Sequence, residues 1–152
     1  MVATVSKSQP ILIVEDSDDD YEATDRALRH SGNLLNPLLR CRNGQEALDF
    51  VYRQGHYNAE NAPRPGLILL DLNMPGIDGR EVLIRLKSDA ELKDIPVIVL
   101  TTSSDERDIE ECYKDGANTY ITKPVELDGF FKAIERLKEY WLEIAILPKS
   151  GH

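Results

Sequence analysis

Short, unbroken apolar runs recur along this chain, and a segment with helical periodicity follows each of them. "ILIV" (11–14), "LILL" (67–70) and "VIVL" (97–100) contain no polar residue. A strand exposed on one face alternates polar with apolar side chains, whereas a strand covered on both faces reads as continuous Val, Ile and Leu. "PLLRC" (37–41) and "TYIT" (119–122) supply two further strand candidates. Between the runs lie amphipathic stretches. Residues 18–29 place Tyr21, Thr24, Ala27 and Leu28 on one face. "NGQEALDFVYRQ" begins with a capping Asn43 and sets Ala47, Phe50 and Val51 at helical spacing. Residues 80–88 carry Val82, Leu83 and Leu86, residues 104–115 carry Ile109, Cys112 and Tyr113, and a long helix is predicted over 127–145. "GHYNAENAPRPG" (55–66) is a loop by its Gly, Pro and Asn content. Strand then helix, five times over, predicts a five-stranded parallel sheet covered on both faces. With right-handed crossovers this is a doubly wound α/β fold.

The chain has 152 residues, enough for one domain with a real core. We expect a loose leader over 1–9, one domain over 10–147 with an extended last helix, and a tail over 148–152. The formal net charge is −9, so nucleic acid and anionic lipid are disfavoured as direct partners, and a cation or a basic protein patch is easier to accommodate. There is no apolar run near ~20 residues to span a membrane. The start, "MVATVSKSQP", lacks the apolar centre of a signal peptide. A cytoplasmic location is the resulting expectation. Cys41 and Cys112 match no metal-ligand spacing and read as buried thiols.

In an open parallel sheet, ligands bind beyond the carboxyl ends of the strands. The polar residues of this chain fall there: Glu15 and Asp16 after the first strand, Asp71 after the third, Thr101 and Thr102 after the fourth, Lys123 after the fifth. Three carboxylates on one sheet edge repel one another unless a cation sits among them. Carboxylate and water oxygens are the ligands Mg²⁺ prefers. Asp18, Asp19 and Asp20 have a simpler explanation, since acids at a helix start cap free N–H groups and complement the dipole. A cation, an amine and a hydroxyl around one carboxylate make a receiver for a phosphoryl group, whose transfer is mostly positioning and charge stabilisation. Asp71 would attack the phosphorus, Lys123 would offset the phosphoryl oxygens, and Thr101 would donate a hydrogen bond. The plain alternative for Lys123 is a surface lysine paired with an acid, which its place just before Pro124 at a strand end disfavours; Thr101 taken singly reads as an ordinary strand residue.

"LIVED", "LILLDLNMPGIDG", "VIVLTTS" and "YITKP", in this order, resemble the signature segments of the receiver domains of two-component response regulators. The likeness covers about residues 10 to 140. It implies a flavodoxin-like (CheY-like) fold, with Asp71 as phosphoacceptor. It also implies Mg²⁺ on Asp16, Asp71 and the Asn73 carbonyl, with Glu15 acting through water. Thr101 and Lys123 would hold the phosphoryl group. Tyr120 stands where the family has its switch aromatic, although it reads equally as a plain strand aromatic. The first acid is Glu15, where the family more often has Asp; the longer stem bears on metal affinity and phosphate lifetime. The loop at 55–66 and the ending "YWLEIAILP" resemble the small response regulators partnered with cyanobacterial phytochromes. The resemblance implies a single-domain regulator and a sensor histidine kinase as partner, a phytochrome by the narrower likeness.

The last helix carries more apolar surface than one docking face uses. Leu127, Phe130, Ile134, Leu137, Trp141 and Ile144 form the docking stripe, and Phe131, Tyr140, Leu142, Ile146 and Leu147 lie outside it. We expect a homodimer in which Phe130, Phe131, Tyr140, Trp141, Leu142, Ile146 and Leu147 meet a second copy. Two other functions stay open. A Mg²⁺-dependent aspartyl-phosphate phosphatase needs a second acid two residues beyond the nucleophile, and that position is Asn73. A binding module that never carries phosphate leaves Asp16, Asp71 and Lys123 unexplained.

Overall fold

The computed structural model describes residues 9–30, 34, 36–102, 105–123 and 126–140. The order of elements is β1 Ile11–Val14, α1 Asp18–Arg29, β2 Leu38–Cys41, α2 Gly44–Tyr52, β3 Leu67–Leu70, α3 Gly79–Ser88, β4 Val97–Thr101, α4 Glu106–Lys114, β5 Thr119–Thr122 and α5 Leu127–Lys138. The strands form one parallel sheet in the order β2-β1-β3-β4-β5. This is the flavodoxin-like, doubly wound architecture that the alternation of runs and helices predicts.

The two-residue period explains why β1, β3 and β4 up to Leu100 are apolar throughout. Leu12, Val14, Ile68, Leu70, Val97 and Val99 point into a core shared with Ala47 and Phe50 of α2, Leu83 of α3 and Cys112 of α4. Their neighbours Ile11, Ile13, Leu67, Leu69, Ile98 and Leu100 point the other way, into a core shared with Leu28 of α1 and Phe130, Ile134 and Leu137 of α5. Both cysteines are free and buried. No helix among the described residues is long and apolar enough to cross a membrane.

Several expectations are corrected. Ser17, rather than an aspartate, caps α1, its side chain accepting from the Asp20 N–H; the three acids sit inside the first turn. Helical spacing puts Tyr113 on the inward side of α4, but it is 48% exposed, and its hydroxyl accepts from the Tyr120 N–H at 3.1 Å. That contact covers a backbone donor on β5, an edge strand. Phe130 is 6% exposed and packs into the chain's own core, so it has little surface to offer a second copy. Phe131 is half-buried against the same core, and Tyr140 is exposed. Trp141, Leu142, Ile144, Ile146 and Leu147 lie outside the described residues, as does the end of the long helix expected to reach residue 145.

Candidate functional site

Glu15, Asp71 and Lys123 are each anchored by a backbone bond to a neighbouring strand end. The Glu15 N–H donates to the Cys41 carbonyl at 3.0 Å, the Asp71 N–H to the Val14 carbonyl at 3.1 Å, and the Lys123 N–H to the Thr101 carbonyl at 2.6 Å. The sheet's own hydrogen bonding therefore carries one step past the strands and sets these side chains in register.

Glu15, Asp16 and Asp71 each bring a carboxylate oxygen within 4.8 Å of the others. Glu15 and Asp71 are only 3% and 6% exposed, while Asp16 is exposed and opens the cluster to solvent. Burial pushes the Glu15 carboxyl up to about 7, against the opposing pull of Lys123. Burial also holds Asp71 above the ordinary carboxylate range, with Lys123 and the Asn73 N–H opposing and the Asp16 charge adding to the rise. Lys123 donates to Glu15 Oε1 at 2.7 Å and to Asp20 Oδ2 at 2.9 Å, and its ammonium is 3.8 Å from Asp71 Oδ2. Although burial works against its charge, these carboxylates hold Lys123 above the ordinary lysine value.

Asn73 links two sides of the cup. Its N–H donates to Asp71 Oδ1 at 3.2 Å, and its side-chain amide donates to the hydroxyls of Thr101 at 3.0 Å and Thr102 at 3.3 Å. Thr101 is fully buried. Tyr120, one strand away on β5, is half-buried against the core on the α2–α4 side.

Three oxygen donors in one cluster, two of them buried and pushed toward their protonated forms, suit a hard divalent cation, which would offset the crowded charge. The structure thus brings together Glu15, Asp16, Asp71, Asn73, Thr101 and Lys123, all expected from the sequence. It adds residues that the sequence pattern does not single out. Asp20 reaches Lys123, a role beyond the helix-start function that its position in the sequence explains. Arg40 donates from Nε to the Glu15 carbonyl at 3.1 Å and pairs with Asp18 at 2.8 Å, bracing the loop that presents Glu15 and Asp16. Its guanidinium also lies 4.6 Å from the centre of the Tyr21 ring. The one available signal was an arginine in an otherwise apolar strand, "PLLRC".

Two glycines let the β3–α3 loop sit close to its neighbours. A Cβ on Gly44 would meet the Ile77 carbonyl oxygen at 2.2 Å, and one on Gly79 would meet the Asp71 carbonyl oxygen at 2.2 Å. The loop carrying Asn73 is thereby held between the starts of α2 and α3.

A doubly wound sheet with an acidic cup and a lysine at its carboxyl edge is the architecture of a signalling receiver. The pattern of the response regulator receiver domain matches residues 11–135, and the chain belongs to that family. Among its relatives is the response regulator Rcp1 of Synechocystis sp., 45% identical over 140 residues that cover 92% of this chain and 93% of that protein. The crystal structure of the phosphorylated cyanobacterial phytochrome response regulator RcpA is similar at a TM-score of 0.87 and 43% identity, covering 93% of this chain and 99% of that one. The Mn²⁺-bound form of Rcp1 is similar at a TM-score of 0.86 and 42% identity, with the same coverage. The chain is a response regulator homologous to these two proteins.

Proposed function

We propose that Asp71 accepts a phosphoryl group from a phosphohistidine on a sensor histidine kinase. The observation that carries this reading is the cluster of Glu15, Asp16 and Asp71 oxygens within 4.8 Å, with the Lys123 ammonium 3.8 Å from Asp71. An Asp71 oxygen forms the new P–O bond as the P–N bond breaks, and the electron pair stays with the leaving imidazole. Mg²⁺ held by Glu15, Asp16, Asp71 and the Asn73 carbonyl would offset charge on the transferring group. Lys123 offsets a second phosphoryl oxygen. The Thr101 hydroxyl turns from the Asn73 amide toward the acyl phosphate and donates to it.

The new charge, about −1.5 to −2, biases a switch involving Thr101 and Tyr120, and the face made by α4 and α5 then changes its affinity for a partner. Hydrolysis of the acyl phosphate, assisted by the chain itself, resets the state. Asn73, two residues beyond Asp71, has no acid or base to offer an outside substrate, which disfavours a phosphatase. The phytochrome response regulators among the relatives support a phytochrome as the kinase. We further propose a cytoplasmic protein in which residues 10–147 form the receiver and the last helix and tail pair two copies. Phe131 and Tyr140 are the described residues available to that contact. Deleting residues 141–152 should convert a dimer to a monomer in light scattering; a full-length monomer at high concentration would refute the pairing.

The experiment on the central reading is incubation with acetyl phosphate and Mg²⁺ followed by intact mass. One phosphoryl adduct is expected, absent in Asp71→Asn. An adduct that survives the substitution would overturn it.

A further inference from the structure

The three acids at the start of α1 have three different surroundings. Asp18 pairs with Arg40 and Arg42. Asp19 is exposed. Asp20 turns to the cup and accepts from Lys123 at 2.9 Å. A helix dipole acts on all three in the same sense and does not explain why one of them reaches the site. The backbone around Asp20 is fixed on both sides: its N–H donates to Ser17 Oγ at 3.2 Å, and its carbonyl accepts from the Thr24 hydroxyl at 2.8 Å. The first turn of α1 therefore aims this carboxylate at the lysine.

We infer that Asp20 is a positioning residue that restrains Lys123 and competes with the phosphoryl group for its protons. This deepens the proposed function and rests on it. In the described state the ammonium is nearer to Glu15 and Asp20 than to Asp71, at 2.7, 2.9 and 3.8 Å. To form a charge-assisted bond at the acceptor it must close a gap of about 1 Å. A cation in the cluster shares the charge of Glu15 and Asp71. Asp20 is not one of the three clustered acids, so it is the carboxylate left to hold the lysine back. Its side chain is 46% exposed, so the restraint is modest, a factor of about two to five.

The test compares Asp20→Asn with Asp19→Asn, which removes the same charge from the same turn. With acetyl phosphate and Mg²⁺, intact mass against time should show Asp20→Asn labelled about two to five times faster than wild type, and Asp19→Asn labelled at the wild-type rate. Without any phosphodonor, the NMR signal of the Lys123 ε-methylene should move in Asp20→Asn and stay in place in Asp19→Asn. Mn²⁺ affinity, read by water-proton relaxation, should be alike in the two variants. Labelling of Asp20→Asn no faster than Asp19→Asn overturns the restraint, and an unmoved Lys123 signal overturns the contact itself. A wild-type chain that takes no label overturns the proposed function and carries this inference down with it.

Discussion

Glu15 and Lys123 stand 108 positions apart in the chain and form a 2.7 Å ion pair with both side chains nearly buried. The lysine is a resident counter-charge for the acidic cup. Lys123→Met removes the ammonium that opposes burial at Glu15 and Asp71, so both carboxyls should be pushed further up and the loss of the buried contact should cost about 1–3 kcal/mol of stability at neutral pH. Added Mn²⁺ should restore part of it, so the rise in melting temperature on adding the ion should be larger in the variant than in wild type. Equal rises would show that lysine and ion do not offset the same charges.

Cation affinity should depend on pH through Glu15. Its carboxyl is pushed up to about 7 by burial, and a carboxyl must lose its proton to help hold a cation. Below pH 7 the proton competes, so affinity rises with pH and levels off above it. In the cation-free protein the sign is opposite for stability: a carboxyl raised on folding favours the fold at low pH, and that contribution is lost as pH rises from about 4.5 to about 7. Mn²⁺ titrations between about pH 5.5 and 8.5 check the first statement. Affinity that is flat across the range would contradict it, and Glu15→Gln should flatten the dependence on purpose.

Asp71→Asn should stabilise the cation-free protein while abolishing phosphorylation. Burial first, then the Asp16 charge, holds the Asp71 carboxyl above its ordinary value, so its ionised form is disfavoured in the fold. A neutral side chain of the same shape removes that cost. A gain of roughly 0.5–2 kcal/mol is expected in thermal or urea unfolding with a chelator present. A loss of stability would mean that the Lys123 and Asn73 contacts outweigh burial.

Gly44→Ala and Gly76→Ala should separate close approach from backbone strain. At Gly44 the new methyl group would lie 2.2 Å from the Ile77 carbonyl oxygen, so the β3–α3 loop must shift. Overpacking of this kind costs about 1–3 kcal/mol, and the shift should also slow phosphorylation because the loop carries Asn73. Gly76 has φ +79°, and a methyl group there would have nothing within 4 Å. Its substitution should cost ~1 kcal/mol through the left-handed backbone alone. Phosphorylation that is equally slow in both variants would argue against the clamp.

The central strands β1, β3 and most of β4 were legible because burial on both faces leaves them almost wholly apolar, and the helix faces on α1, α2 and α3 because their apolar residues recur at helical spacing. The convergence of Glu15, Asp16, Asp71, Thr101 and Lys123 followed from topology, since parallel strands point all their carboxyl ends one way. Asp20 was not legible: three neighbouring acids look alike in a sequence, and only the rotation of α1 decides which one meets the lysine. Tyr113 defeats the spacing rule because a tyrosine satisfies an apolar pattern with its ring while its hydroxyl seeks a partner at the rim. Phe130 and Phe131 are adjacent and both pack against the core on the α1–α5 side, so a stripe drawn on spacing alone does not say how much of either remains uncovered.

The order of strands across the sheet has a consequence for synthesis. The acids emerge from the ribosome on the first and third strands, which lie side by side, whereas the lysine arrives on the last strand, at the sheet's rim. A nascent chain that has not yet added β5 therefore carries the crowded acids without their ammonium, and its assembled middle must wait, or borrow a cellular cation, until residue 123 is delivered.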